Sequence, residues 1–181
     1  MIKSFISRVF GRGAKQAAHP SKPVIYGPDK HHIRKDHISR GARKTCEELQ
    51  RAGHTAFVVG GAVRDLILGK QPKDFDVATS AHPDAVRSLF RRSRSIGRRF
   101  QIVHVMWGAE TVEVSTYRAR QGNDPDEQMA DEHGRILRDN VFGTQEEDAS
   151  RRDFTINAMF YDPTTEEILD FCDRLADLKA R

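Results

Sequence analysis

Two aspartates separated by a single residue could hold a metal ion. Asp74 and Asp76 lie in the run DFDVAT, whose alternation predicts a strand over residues 74–79 with both carboxylates on one face. Adjacent like charges raise each other's pKa, and a divalent cation removes that cost. Mg²⁺ prefers oxygen ligands, so the pair is a candidate magnesium site. The same spacing also suits an exposed edge strand with two solvated aspartates.

A paired glycine precedes this run. Gly60 and Gly61 stand between a β-rich run, TAFVV, and a helical pattern over residues 63–68. Glycines let the backbone approach a ligand closely, and the following helix start favours an anion. Arg64, one turn later, could pair with the same anion. The alternative is a simple tight turn with Arg64 solvated.

A third carboxylate lies in the run TVEVSTYR. Alternation places Val112 and Val114 on one face and Glu113 and Ser115 on the other. Beside Asp74 and Asp76, Glu113 would complete a set of three carboxylates. Taken alone, the pattern favours an ordinary outward-facing glutamate.

A fourth cluster is RRDFTIN, residues 151–157, in which polar side chains surround Phe154 and Ile156. Arg152 could meet a phosphate, Asn157 a ribose or phosphate, and Asp153 could orient an arginine or a metal-bound group. A strand entry with ion-paired ends would have the same composition.

The surrounding pattern predicts how these residues are positioned. We expect a helix over residues 39–52, the strand–glycine–helix unit, a helix over 82–90, and a hairpin of strands 100–107 and 111–117. A long mobile loop over 119–139 and strands over 154–161 and 168–171 follow. This order of elements is the layout of a nucleotidyltransferase head: a strand, a double glycine, a helix, paired aspartates and an acidic hairpin strand. In such a head the turn holds a triphosphate and the acids hold two metals.

Composition excludes several classes of protein. No apolar run is long enough to span a bilayer, and residues 1–12 lack the apolar stretch and cleavage site of a secretory signal. The two distant cysteines suit a reducing cytoplasm. Residues 1–55 hold twelve Lys/Arg against four Asp/Glu, whereas the remainder is mildly acidic. A basic segment indicates either an anionic partner, most commonly nucleic acid, or a solvated tail. The arginine-dense stretch over residues 87–99 is a second basic segment that could contact a nucleic-acid backbone.

Two blocks carry a specific resemblance. VVGGAVRDLILGKQPKDFDVAT, residues 58–79, and RRDFTINAMFYD, residues 151–162, resemble the signature blocks of the class II nucleotidyltransferases, which include bacterial poly(A) polymerases and tRNA CCA-adding enzymes. The resemblance runs from about residue 39 to the end. The linker ILRDNVFGTQEEDASRRDFTIN, the stretch 98–118 and the basic segment around HHIRKDHIS are closer to the poly(A) polymerases.

This resemblance implies roles for the candidates. Its catalytic residues would be Asp74, Asp76, Asp153 and Glu113, with Asp74 and Asp76 binding two Mg²⁺ ions. Nucleotide contacts would come from Gly60, Gly61, Arg64, Arg152 and Asn157. The implied reaction is attack of an RNA 3′-hydroxyl on the α-phosphate of ATP, which adds AMP without a template.

The implied architecture is α+β, a small mixed, twisted sheet of the polymerase-β-like type with helices packed on one side. We expect a flexible basic arm over residues 1–37 and a catalytic head over 38–181 that stops before the family's helical neck and body. Two other interpretations fit the same sequence motifs: a tRNA CCA-adding enzyme and a catalytically silent RNA-binding module.

Overall fold

A computed structural model describes residues 22–97, 100–119, 129–130, 136–138, 141–152, 155–172 and 175. Four α-helices lie in this part of the chain: α1 Arg40–Arg51, α2 Gly61–Ile67, α3 Pro83–Leu89 and α4 Gln145–Ser150. Its strands are β1 Val24–Tyr26, β2 Ala56–Val59, β3 Asp76–Thr79, β4 Ser93–Ile96, β5 Ile102–Trp107, β6 Glu110–Thr116, β7 Met129–Ala130, β8 Ile136–Arg138, β9 Met159–Asp162 and β10 Glu167–Asp170.

One eight-stranded sheet organises these elements, in the order β1-β10-β9-β2-β3-β6-β5-β4. Only the central pair β3 and β6 is parallel among its described pairings, and the other pairs are antiparallel. The predicted α+β class with a mixed sheet is therefore confirmed. The shorter pair β7 and β8 forms a separate ribbon.

The two faces of the sheet are covered differently. Helices α1, α2 and α3 contribute side chains such as Leu49, Val63 and Val86 to a large apolar core on one face. The second face carries a smaller cluster that includes Val59, Phe160 and, from α4, Ala149. Because successive strand residues alternate between faces, the second face is where polar side chains can collect beside the smaller cluster.

The best-predicted element is the first helix. Ser39 caps α1, since its side chain accepts a hydrogen bond from Ala42 N at 3.1 Å, and Ala52 ends it. Gly53 follows with φ of +88°, the left-handed conformation that a helix stop favours. Its apolar residues at helical spacing lie in the core, so the predicted span of 39–52 is confirmed.

Besides β1 and β4, which the sequence pattern does not predict, three elements close to the candidate site residues differ from the prediction. The strand expected from residue 74 begins at Asp76. Helix α4 was not expected, although Thr144 and Glu147 form a capping box at its start. The strand expected from residue 154 begins at Met159, because Thr155–Asn157 is a 3-10 turn.

Part of the arm expected over residues 1–37 lies in the described structure. Strand β1 pairs with β10, and Ile33 is 1% exposed within the core, so both contact the domain. Residues 1–21 lie outside the described part of the chain, as does most of the loop expected over 119–139. None of the described helices is long and apolar enough to cross a membrane.

Candidate active site

The centre of the candidate site is a row of residues on the face opposite helices α1–α3. Val59 is the partner of Asp76 across β2 and β3, and Asp76 is the partner of Glu113 across β3 and β6. Since Val59 immediately precedes Gly60, this register places the Asp76 carboxylate next to the glycine turn.

The predicted alternation around the paired aspartates is found. Phe75 and Val77 are buried in the large core, whereas Asp74 and Asp76 are exposed. Asp74, which precedes the strand, lines one cleft together with Asp76 and Glu113. The three carboxylates of the sequence hypothesis thus face a common space.

Burial among the cleft walls raises the pKa of Asp76, and the negative charges of Glu113 and Asp74 raise it further. The Arg152 guanidinium opposes this shift. Although the Asp76 residue is open to solvent on one side, protein atoms displace water from the rest of its carboxylate. The site therefore holds negative charge at an energetic cost that a cation would offset.

The glycine turn packs against arginines. Gly60 has φ of +75°, a conformation that favours glycine, and a methyl group built on it would lie 3.7 Å from Arg152 Nη1. A methyl group on Gly61 would lie 3.4 Å from Arg64 Nη2. Arg64 Nη1 donates to Asn157 Oδ1 at 3.0 Å, so the turn, the second helix and the Thr155–Asn157 segment form one unit.

Arg152 is held in place by a residue that the sequence pattern did not bring forward. Asp148 is 1% exposed and accepts hydrogen bonds from Arg152 Nη2 at 2.9 Å and Arg151 Nη2 at 2.7 Å. The Asp148 carboxylate also accepts the Arg118 backbone N–H at 3.3 Å. The signal in the sequence was an acid three and four residues before two arginines, the helical ion-pair spacing.

Arg152 retains capacity for a ligand. Within the described ranges, its buried Nε finds no hydrogen-bond acceptor. Its guanidinium lies 5.4 Å from the centre of the Phe160 ring, which supports it from one side. An anion in the adjacent cleft would satisfy this donor.

That cleft has a volume of about 400 Å³. Its walls combine carboxylates with guanidinium groups and are formed by Val59, Asp76, Ile102, Glu113, Ser115, Arg118, Arg151 and Arg152. Positive groups for phosphates beside carboxylates for a cation are what phosphoryl transfer requires.

Of the nine candidate residues, Asp76, Glu113 and Arg152 line this cleft, and Asp74 lines an adjoining one. Gly60 and Asn157 lie against Arg152, and Arg64 and Gly61 form the next contacts outward. Asp153 lies outside the described residues. In the ranges that the structure describes, no three His, Cys, Asp or Glu side chains form a group arranged to hold a metal ion. The carboxylates share a space without converging on one point.

Comparison with known proteins gives this geometry a context. Residues 56–181 match the family described as the Poly A polymerase head domain. Poly(A) polymerase I of Haemophilus influenzae is 48% identical over 146 residues, covering 79% of this chain and 32% of that protein. Poly(A) polymerase I of Salmonella typhi is 44% identical over 184 residues, covering 98% of this chain and 40% of that protein.

A solved structure is also similar. The CCA-adding enzyme of Bacillus stearothermophilus, determined in complex with CTP, has a TM-score of 0.60 and 32% identity, covering 78% of this chain and 32% of that one. The chain spans about a third to two-fifths of the length of the curated relatives it matches. With its family match extending over more than half of its residues, the chain belongs to the poly(A) polymerase head-domain family.

Proposed function

We propose that this chain is the catalytic head of a template-independent polynucleotide adenylyltransferase, which adds AMP from ATP to RNA 3′ ends in RNA processing and turnover in the cytoplasm. The observation that carries the proposal is the cleft in which Asp76 and Glu113 face Arg152 beside the glycine turn. The 44–48% identity to poly(A) polymerases I supports the choice of ATP and of an RNA acceptor.

The triphosphate would lie against the arginine side of the cleft. Gly60 and Gly61 carry no side chain that would keep a phosphate from the backbone. Arg152 has an unused buried donor, while Arg64 and Asn157 form the next layer of hydrogen bonds. These groups would hold the α-phosphate still and neutralise charge on the leaving pyrophosphate.

The carboxylate side fits a divalent cation. Asp74, Asp76 and Glu113 offer only hard oxygen ligands, and burial together with the charges of Glu113 and Asp74 raises the pKa of Asp76. Asp74 and Asp76 would hold two Mg²⁺ ions, with Asp153 as a further catalytic residue that orients an arginine or a metal-bound group. When bound, these ions would supply charge stabilisation to the attacking and leaving oxygens.

Incubation of the complete protein that carries this chain with ATP, Mg²⁺ and an unstructured RNA tests the proposal. We expect extended adenylate tails on this RNA. Failure to add any nucleotide to RNA, with or without a CCA end, would leave only the silent RNA-binding module.

A second candidate is a tRNA CCA-adding activity, favoured by the similarity to the CTP-bound Bacillus stearothermophilus enzyme. A parallel reaction with a tRNA that lacks CCA, supplied with CTP and ATP, separates the two. Addition of three defined nucleotides there, with no tails on the unstructured RNA, would favour CCA addition.

A further inference from the structure

A second cleft opens on the other side of the catalytic carboxylates. It has a volume of about 540 Å³ and shares Asp76 and Glu113 with the arginine-lined cleft described above. Its remaining lining residues are Asp74, Phe75, Arg94, His104 and Thr111. Asp76 and Glu113 therefore separate two spaces, of which the proposed function uses only the first.

The register of the sheet orders the side chains of this second cleft. Arg94 on β4 is the partner of His104 on β5, which is the partner of Glu113 on β6. Glu113 is in turn the partner of Asp76. At a spacing of about 4.8 Å between neighbouring strands, the Cα atoms of Arg94 and Asp76, three strand spacings apart, are separated by roughly 14 Å. The row thus runs from negative charge to positive charge along one face.

A direct contact holds the middle of this row together. His104 Nε2 lies 3.3 Å from Glu113 Oε1, and the His104 side chain is 19% exposed. Because His104 occupies the position between Glu113 and Arg94, it separates the carboxylates from the basic end of the cleft.

Arg94 differs from the arginines of the first cleft. Arg151 and Arg152 both form ion pairs with Asp148. Arg94 is exposed, and across the described segments its guanidinium has neither a hydrogen bond nor an ion pair. An arginine in a cleft with no partner inside the described part of the protein is available to an external anion.

The chemistry of in-line transfer decides which anion this is. Displacement at the α-phosphate requires the attacking hydroxyl to approach opposite the leaving pyrophosphate. If the triphosphate lies on the arginine side of Asp76 and Glu113, the acceptor approaches from the other side. The second cleft opens there.

We propose that the second cleft binds the 3′-terminal nucleotide of the RNA acceptor, with Arg94 contacting a backbone phosphate. The inference rests on the proposed function, because that function decides which cleft receives the triphosphate. It distinguishes Arg94 from the other arginines of the stretch over residues 87–99, among which Arg91 and Arg92 line a separate groove beside Trp107.

The test compares Arg94→Gln with Arg91→Gln, which removes the same charge from an exposed arginine outside the cleft. In the complete protein, we expect Arg94→Gln to raise KM for a five-nucleotide RNA acceptor about tenfold and to leave KM for ATP unchanged. Arg94→Lys should recover part of the loss because it retains the charge. The short acceptor restricts the measurement to contacts near the RNA 3′ end.

Equilibrium binding of the same RNA, without ATP, gives a readout that does not depend on activity. The slope of log affinity against log salt should fall by about 0.7 for Arg94→Gln, the value for removing one phosphate neutralisation from a single strand, and not for Arg91→Gln. Equal behaviour of the two variants in this assay would overturn the inference, even if the wild-type protein adds AMP. Absence of nucleotide addition by the wild-type protein would instead contradict the proposed function, and the binding comparison would still decide the role of Arg94.

Discussion

Asp76 is the residue at which the two clefts and the glycine turn meet, and its charge is essential to the proposed chemistry. Asp76→Asn keeps the shape and removes the charge, so we expect at least about a 10²-fold loss in the rate of AMP incorporation. Asp84→Asn, at the start of α3 and outside both clefts, is the matched control and should keep the wild-type rate. Near-full incorporation by Asp76→Asn would contradict the assignment.

The same substitution should have the opposite effect on stability. The pKa of Asp76 is raised in the folded protein, mainly by burial and then by Glu113. The folded state therefore binds this proton more tightly, and ionisation of Asp76 destabilises the fold as pH rises through the raised pKa. Without Mg²⁺, Asp76→Asn should therefore be more stable than the wild type at pH 7.

Urea unfolding in a chelator measures this difference. The difference in stability should shrink as pH falls and vanish well below about 3.9, the pKa of an aspartate in the unfolded chain. If the stability of Asp76→Asn relative to the wild type is lower at pH 7 than at pH 4, the negative charge at this position is not disfavoured in the folded protein.

Between β2 and α2, the backbone must turn in a conformation that favours glycine. Gly60→Ala would strain this turn by about 1–3 kcal/mol and place a methyl group beside Arg152. Gly69→Ala, with φ of +69° and nothing within 4 Å, introduces a comparable backbone penalty at the end of the same helix. We expect both variants to lower the melting temperature, but only Gly60→Ala to weaken ATP binding. Equal ATP affinity in the two variants would remove the turn from the nucleotide site.

Helix α4 contributes to the site through Asp148, whose carboxylate holds Arg151 and Arg152 from a buried position. Asp148→Asn leaves charged donors partly unsatisfied, so we expect a loss of about 1–3 kcal/mol in the free energy of unfolding. Because Arg152 would no longer be fixed, KM for ATP should also rise. Glu146→Gln, two residues earlier in the same helix and with no described side-chain partner, controls for the removed charge. An unchanged KM for ATP would limit Asp148 to a structural role.

The elements that could be predicted are those with local signals. Residues 39–52 contain a cap, an apolar period and a stop, and the hairpin around Gly108 contains two alternating strands, so each was placed correctly. Strand β4 lies within an arginine-dense stretch whose composition does not indicate a strand. It forms because β5 offers a free edge. Likewise, the spacing of Asp148 to Arg151 and Arg152 indicates an ion pair only if these residues are helical, and helix α4 is not among the predicted elements.

At the scale of the whole molecule, the sheet separates the main apolar core on one face from the proposed catalytic site on the other. Helices α1–α3 cover one face with the main core. On the other face, one register row runs from Phe160 through Val59, Asp76, Glu113 and His104 to Arg94. Neighbours in this row are distant in the chain, since Val59 and its partner Phe160 are 160 − 59 = 101 positions apart. No local pattern could reveal that order, because it depends on which strands become neighbours.

The N-terminal region is where whole-molecule packing changes the design of an experiment. Deleting residues 1–37 would remove strand β1 and the buried Ile33 as well as basic residues. We expect that truncation to lose about 2–5 kcal/mol or more in the free energy of unfolding, on the scale of a deleted core isoleucine. Any loss of RNA binding would then be ambiguous.

Deleting residues 1–21 removes Lys3, Arg8, Arg12 and Lys15 while leaving β1 in place. We expect this shorter truncation to keep the melting temperature of the complete protein and to lose RNA affinity. The slope of log affinity against log salt should also fall by about 0.7 for each phosphate that the deleted residues neutralise. If both the affinity and the slope are unchanged while the fold is intact, the first 21 residues do not bind RNA. The RNA-binding groups would then belong to the folded part of the chain, because its clefts and exposed arginines remain in the truncated protein.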